Sequence, residues 1–357
     1  MYPLTESAWP DRRNDDERYM RLALCQARKG LGKTSPNPAV GAVVVRDGII
    51  LSKGWHQEAG GPHAEIQALA ALPTKSCAEG ATLYVTLEPC STHGRTPPCT
   101  ESIIAAKLAR VVIGAIDVNP KHQGRGIEQL RNAGIEVTTA VLEKECTRLN
   151  VGFNKWITSG QPWVIGKFAQ SLDGRLTRPP SESRWLTNNR SLRLTHRLRS
   201  TVDAILVGAE TVRKDNPRLT ARPNQGRLQP WRIILTRSGD IPPGAHVLTD
   251  AFRDRTIVYQ NVDWPDLLKE LGSKGITRLL VEGGGDTLGQ LLDLNLIDEI
   301  WCFIAPLFAG GDKPSIGGVG VESVGTAKSL DPIRFKRVRD DILIVAARNE
   351  LVAAAFG

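Results

Sequence analysis

The sequence predicts two α/β domains, 1–159 and 160–357, and three observations carry that expectation. At 357 residues the chain is longer than one hydrophobic core usually supports. Apolar runs of strand length alternate with helix-period segments throughout, the rhythm of layered α/β domains. Ser159-Gly160-Gln161-Pro162 then interrupts that rhythm with turn-forming residues, ahead of a fresh strand at Trp163.

The elements follow in order. Apolar spacing predicts a helix over 17–29, stopped by Gly30 and Gly32, and then the loop TSPNP. Strands over 39–45 and 49–55 flank Arg46-Asp47-Gly48, where Asp-Gly supplies the positive φ of a tight hairpin. Next come a helix over 63–72 ended by Pro73, a strand over 82–87, a helix over 100–106 and a strand over 110–116. A helix over 127–133, a strand over 135–139 and one helix over 142–157 complete the first half. The second half reads as strands near 163–169, 204–208, 231–236, 256–258, 278–282 and 300–304. Helices are expected near 188–199, 265–271 and 287–292, with 221–229 a Pro-bearing loop.

Composition narrows the function classes. The net charge of +8 is compatible with nucleic acid, acidic surfaces or anionic small molecules. Aromatics make up only 5% of the chain, and no basic stretch is interleaved with Phe or Tyr of the kind that stacks bases, so phosphorylated small molecules are the expected partners and nucleic acid is not. No run approaches the roughly 18 apolar residues of a membrane span, and the first residues lack an apolar stretch after a basic start, so a cytoplasmic protein with no membrane partner is expected. Six cysteines spread through so long a chain argue against a disulfide framework.

The chemistry concentrates in one constellation. His63-Ala64-Glu65 opens a helix, Glu88-Pro89-Cys90 ends a strand, and Cys99 precedes the next helix. One imidazole and two thiolates give Zn²⁺ three protein ligands and leave the fourth tetrahedral position to water, the pattern of a catalytic site. Glu65, beside the ligand His63, is suited to carry the proton from water to a ring nitrogen and on to a departing amine. A zinc that only held the fold would need no such carboxylate. Zinc base deaminases carry H-x-E followed by P-C-x-x-C. Here the second cysteine stands at 99, and the longer loop STHGRTPP adds donors and a cation able to grip a phosphorylated substrate. That loop, with a second α/β domain, argues against a nucleobase or tRNA deaminase.

In the second half, Gly283-Gly284-Gly285 lies between an apolar strand and a helix, where bare N–H groups and a helix N-terminus converge on a potential phosphate position. Arg190, Arg193 and Arg197 read as a solvated helix face, whereas Arg199 and Arg222 are assigned to binding.

The runs TSPNPAVGAVVV, PHAEIQAL, VTLEPCSTHGRTPPC and the later GRG with Ala133-Gly134-Ile135 closely resemble the bifunctional riboflavin-biosynthesis deaminase/reductase family, over nearly the whole chain. The resemblance implies a cytidine-deaminase-like three-layer α/β domain followed by a dihydrofolate-reductase-like domain using NADPH. The implied substrate is a diaminopyrimidinone carrying a ribosylamino phosphate. It is deaminated to the uracil form and then reduced at C1 of the open-chain ribose, and a homo-oligomer is allowed. Asn37 would contact the pyrimidine, with His56 near it in the motif. Ala169, Trp185, Thr211, Asp215 and the segment Gly284, Gly285, Asp286, Thr287, Leu288, Gly289 and Gln290 would hold the dinucleotide. Ser183, Arg199, Leu219, Arg222 and Glu282 would face the sugar phosphate. Two positions depart from the family pattern: Thr92 stands where a His is usual, and Arg237 where many relatives have a small hydroxyl residue. Arg237 ends a strand, where ligands of open α/β sheets gather, and is expected to pair with the 2′-phosphate of NADPH.

Overall fold

A computed structural model describes residues 12–93, 97–176, 186–222 and 228–348. The chain divides into two compact units, Met1–Thr158 and Ser159–Gly357.

In the first unit, α1 (Arg12–Ala27) precedes the hairpin of β1 (Gly41–Arg46) and β2 (Ile49–Trp55). Its turn has Asp47 at φ 52° and Gly48 at φ 76°, the two positive values that the Asp-Gly pair announces. There follow α2 (Ala64–Ala70), β3 (Thr82–Leu87), α3 (Cys99–Ala105), β4 (Arg110–Ala115), α4 (Arg125–Asn132) and β5 (Glu136–Thr138). The sheet order is β2-β1-β3-β4-β5, with β3, β4 and β5 parallel. Because strand residues alternate faces, Val43, Val45, Tyr84 and Val112 pack against α1 on one side. Val44, Leu83, Val85, Val111 and Ile113 pack against α2, α3 and α4 on the other. The result is the expected three-layer unit. At Gly54 an added Cβ would lie 2.3 Å from Ala64 O, so only glycine lets α2 settle onto β2 at this distance.

The single helix expected over 142–157 is two, α5 (Glu143–Leu149) and α6 (Val151–Ser159). The break falls at buried Asn150, whose Oδ1 accepts from Ala39 N at 2.8 Å while Nδ2 donates to Ala39 O at 3.0 Å. A tertiary tether therefore overrides helical periodicity there.

The second unit begins with β6 (Trp163–Ser171). It continues through α7 (Asn189–Arg199), β7 (Ala204–Gly208), α8 (Ala209–Asp215), β8 (Trp231–Thr236), α9 (His246–Thr249), β9 (Thr256–Gln260), α10 (Trp264–Ser273), β10 (Arg278–Val281) and α11 (Gly285–Asp293), and closes with β11 (Glu299–Ala305), β12 (Asp331–Val338) and β13 (Asp341–Ala347). The sheet order is β12-β13-β11-β6-β10-β7-β8-β9, parallel from β11 to β9 with an antiparallel edge. Leucines of α10 and α11 cover one face, and Leu194 of α7 joins Phe303 and Val345 on the other. The sequence does not announce α8, α9 or the β12–β13 edge. Lysine and arginines break the apolar alternation of β12, as they commonly do on edge strands.

Among the described residues no helix is long and apolar enough to cross a membrane.

Candidate active sites

Three ends of elements meet in the first unit. His63 caps α2, Cys90 lies just beyond β3, and Cys99 is the first residue of α3. Their ligand atoms all lie within 4.8 Å of one another. His63 Nδ1 is 3.2 Å from Cys99 Sγ and 3.5 Å from Cys90 Sγ. Tetrahedral zinc bonds of ordinary length would set imidazole nitrogen and thiolate about 3.5 Å apart, so the donor set fits the ion in both chemistry and spacing. The Cys90 thiol is lowered to about 4 by hydrogen bonding from Cys99 and His63. Cys99, which shares its proton with Cys90, is pushed up.

Glu65 sits in the first turn of α2, 3% exposed, and burial raises its carboxyl above the ordinary value, partly offset by His63. A carboxyl held there is placed to take a proton and return it. Asn37 Nδ2 donates to His56 Nε2 at 3.3 Å, and His56 Nδ1 lies 3.1 Å from Pro62 O, so His56 donates there and braces Asn37. The His56 ring stands edge-on to His63 at 5.3 Å.

Sequence reasoning gave Glu88 no task. Buried between β3 and Cys90, its carboxylate accepts from Asp117, Gly124, Gly126 and Ile127 N–H groups. It therefore straps the loop between β4 and α4 to the metal turn. The available signal was a carboxylate immediately before Pro89-Cys90. On the cysteine loop, Thr92 Oγ1 reaches His122 Nδ1 at 3.4 Å, and exposed His93 pairs with Glu101 at 3.1 Å. Arg95 lies outside the described residues.

In the second unit the glycines sit at the carboxyl end of β10, and Gly284 caps the nine-residue α11. A Cβ at Gly283 would lie 2.6 Å from Thr287 Cβ, whereas one at Gly284 would meet nothing within 4 Å. The turn thus packs tightly on one side and is open on the other, at a positive helix terminus suited to a pyrophosphate. Thr287 faces Gly208 at the end of β7, which brings α11 beside α8 and its half-buried Thr211. Asp215 is the exposed last residue of α8, Asp286 is exposed in the first turn of α11, and half-buried Ala169 lies on β6.

Not all of the assigned segment lines a site with its side chains. Leu288 is fully buried in the core, Gly289 packs against Gly317, and Gln290 Oε1 accepts from Trp264 Nε1 at 3.1 Å. The helix turns Leu288 and Gly289 inward, whereas Gln290 is exposed. Arg237 follows β8 and is exposed. Ser183 and Trp185 lie outside the described residues.

Arg199 and Glu282 form a two-point ion pair, and Arg199 also donates to Thr220 O at 3.2 Å. Leu219 is buried with φ 50°, a left-handed turn that aims the Thr220 carbonyl at Arg199 and His196. Arg222 is exposed. Burial opposes charge on Glu282, but Arg199 and then Lys167 outweigh it and lower the carboxyl to about 2. Burial lowers Lys167, partly offset by Glu282. The pairing of β6 with β10 creates this neighbourhood, and strand pattern alone did not single Lys167 out.

Comparison with known proteins gives each half a relative. Residues 162–344 match the RibD C-terminal domain, and residues 13–115 match the cytidine and deoxycytidylate deaminase zinc-binding region. Riboflavin biosynthesis protein RibD of Aquifex aeolicus is 40% identical, covering 94% of this chain and 99% of its own. The Escherichia coli protein of that name is 37% identical, covering 91% and 96%. The crystal structure of the deaminase/reductase from Thermotoga maritima superposes with a TM-score of 0.85 at 35% identity, covering 94% and 99%. One form of Acinetobacter baumannii RibD gives 0.85 at 33% identity, with the same coverage.

A zinc-dependent deaminase unit joined to an NADPH-dependent reductase unit defines a bifunctional enzyme. The chain belongs to the RibD family, the bifunctional deaminase/reductases of riboflavin biosynthesis.

Proposed function

We propose that the first unit deaminates a diaminopyrimidinone carrying a ribosylamino phosphate, and that the second reduces the ribosyl group of the product to ribityl with NADPH. The observation that carries this reading is the buried Glu65 beside the His63, Cys90 and Cys99 donors, in a chain of this family.

Zinc, when bound, supplies the Lewis acidity that makes water a competent nucleophile near neutral pH. His63, Cys90 and Cys99 hold it. Asn37, braced by His56, orients the pyrimidine. Glu65 takes the proton from the attacking water, hands it to the ring nitrogen, and delivers a proton to the departing amine. Its burial excludes bulk water from that exchange.

In the second unit the cofactor carries the hydride and the protein orients and supplies charge. The turn, open at Gly284, takes the pyrophosphate together with Gly285, Asp286 and Thr287, while Ala169, Trp185, Thr211 and Asp215 complete the dinucleotide site. Arg237 reads the 2′-phosphate. Ser183, Leu219, Arg222 and the Arg199–Glu282 pair receive the sugar phosphate. Lys167, which the pairing of β6 with β10 sets beside Glu282, provides the proton to the oxygen released as the ribose ring opens.

The test is incubation of purified protein with the diaminopyrimidinone ribosylamino phosphate, with and without NADPH, following ammonia and NADPH oxidation separately. Ammonia without NADPH, then oxidation once NADPH is added, is expected. Ammonia with no later oxidation would leave the reductase assignment unsupported.

A further inference from the structure

The strap from Glu88 carries a residue to which the reaction so far gives no role. Glu88 fixes both ends of the loop between β4 and α4 to the turn that holds Cys90, through Asp117 at 3.3 Å, Gly124 at 3.0 Å and Gly126 at 3.0 Å. Between those anchors the loop is wound on itself. Asn119 N donates to Asp117 Oδ1, Lys121 N donates to Asn119 Oδ1, and His122 and Gln123 N–H groups both donate to Asn119 O. Such a loop is ordered without a ligand, so the side chains it presents are held in advance.

His122 is one of them. It stands half-buried, and its Nδ1 is held at 3.4 Å by Thr92 Oγ1, two residues beyond Cys90 on the facing loop. Among the described residues, no partner is recorded for its Nε2. Its contact with Thr92 ties this imidazole to the loop that leaves Cys90. Lys121 and Arg125 flank it in sequence and are exposed, whereas His93 on the other loop already points to Glu101.

Resting on the substrate proposed above, we propose that His122 is a specificity residue of the deaminase site, whose imidazole, braced by Thr92, donates through Nε2 to the phosphate of the substrate. The pyrimidine end is committed to Asn37, Glu65 and the metal donors, so a donor carried on the opposite loop meets the far end of the same molecule. Thr92 itself offers a hydroxyl, and the contact with His122 brings an imidazole to the cysteine loop from another loop.

The experiment compares zinc-loaded full-length protein with His122→Ala and Thr92→Val in the ammonia-release assay, using the substrate with and without its phosphate. His122→Ala is expected to raise KM for the phosphorylated substrate about five-fold to twenty-fold, with a smaller change in kcat, the loss expected of one charge-assisted hydrogen bond. KM for the phosphate-free substrate should stay within two-fold (about 0.4 kcal/mol). Thr92→Val should shift KM in the same direction by less. Equal KM changes for both substrates, or none, would overturn the proposal. Wild-type protein that releases no ammonia would refute the functional reading instead. A titration of the His122 imidazole signal with ribose 5-phosphate then decides the inference by itself: a saturating shift supports it and an unmoved signal overturns it.

Discussion

Arg199 and Glu282, 83 positions apart in sequence, lock the end of α7 to the end of β10 through contacts of 2.6 and 3.0 Å. The carboxylate is faced by Lys167 and His196 as well as Arg199. Its pKa is lowered from an ordinary 4.5 to about 2, so its contribution to stability is complete above pH 4.5 and is lost as pH falls toward 2. Glu282→Gln should flatten the acid unfolding of the second unit in that window, and should cost about 3–5 kcal/mol at neutral pH by leaving Arg199 buried without its partner. Chemical denaturation across pH would show both effects. An unchanged acid profile would mean that the pair is not the titrating element.

Removing a metal donor should separate the two activities. Cys90→Ser or Cys99→Ser is expected to reduce bound zinc, read by metal analysis, and to abolish ammonia release. Oxidation of NADPH with the deaminated intermediate supplied directly should persist. A variant with full zinc content would show that the cluster at His63, Cys90 and Cys99 is not the metal site.

Arg237→Ala tests the cofactor assignment by binding rather than turnover. NADPH affinity should weaken about ten-fold while NADH affinity stays constant, as expected for loss of one arginine–phosphate contact. An unchanged ratio of the two affinities would contradict the role given to Arg237.

Arg232 gives a purely structural prediction. It is 1% exposed, pairs with Asp250 at 2.8 Å, and donates to Thr256 Oγ1 and to the carbonyls of Arg218 and Val247. Arg232→Ala strands Asp250 and those carbonyls, and should lower the unfolding free energy of the second unit by about 3–5 kcal/mol. Denaturant melts would register the loss, and an effect under 1 kcal/mol would contradict it.

What could be read from sequence was local. Asp47-Gly48 announced its hairpin, and the strands at 82–87, 204–208 and 231–236 matched their apolar runs because burial on a sheet leaves a short-range pattern. The zinc donors were legible because His-x-Glu and Pro-Cys mark element ends. What escaped depends on residues distant in sequence. Asn150 breaks a helix for the sake of Ala39, Lys167 matters because β10 brings Glu282 beside it, and His122 matters because Glu88 anchors its loop. The Leu288 side chain, in the segment the resemblance assigns to the dinucleotide, lies in the core because the turn of α11 aims it there.

The central claim is that Glu65 moves the proton of the first step and has no part in the second. The direct measurement is Glu65→Gln assayed for both reactions, with zinc content as a control. With zinc retained, ammonia release should fall by about 10²–10⁴-fold, while NADPH oxidation with the deaminated intermediate stays at the wild-type rate. A Glu65→Gln protein that releases ammonia as fast as wild type would contradict the account.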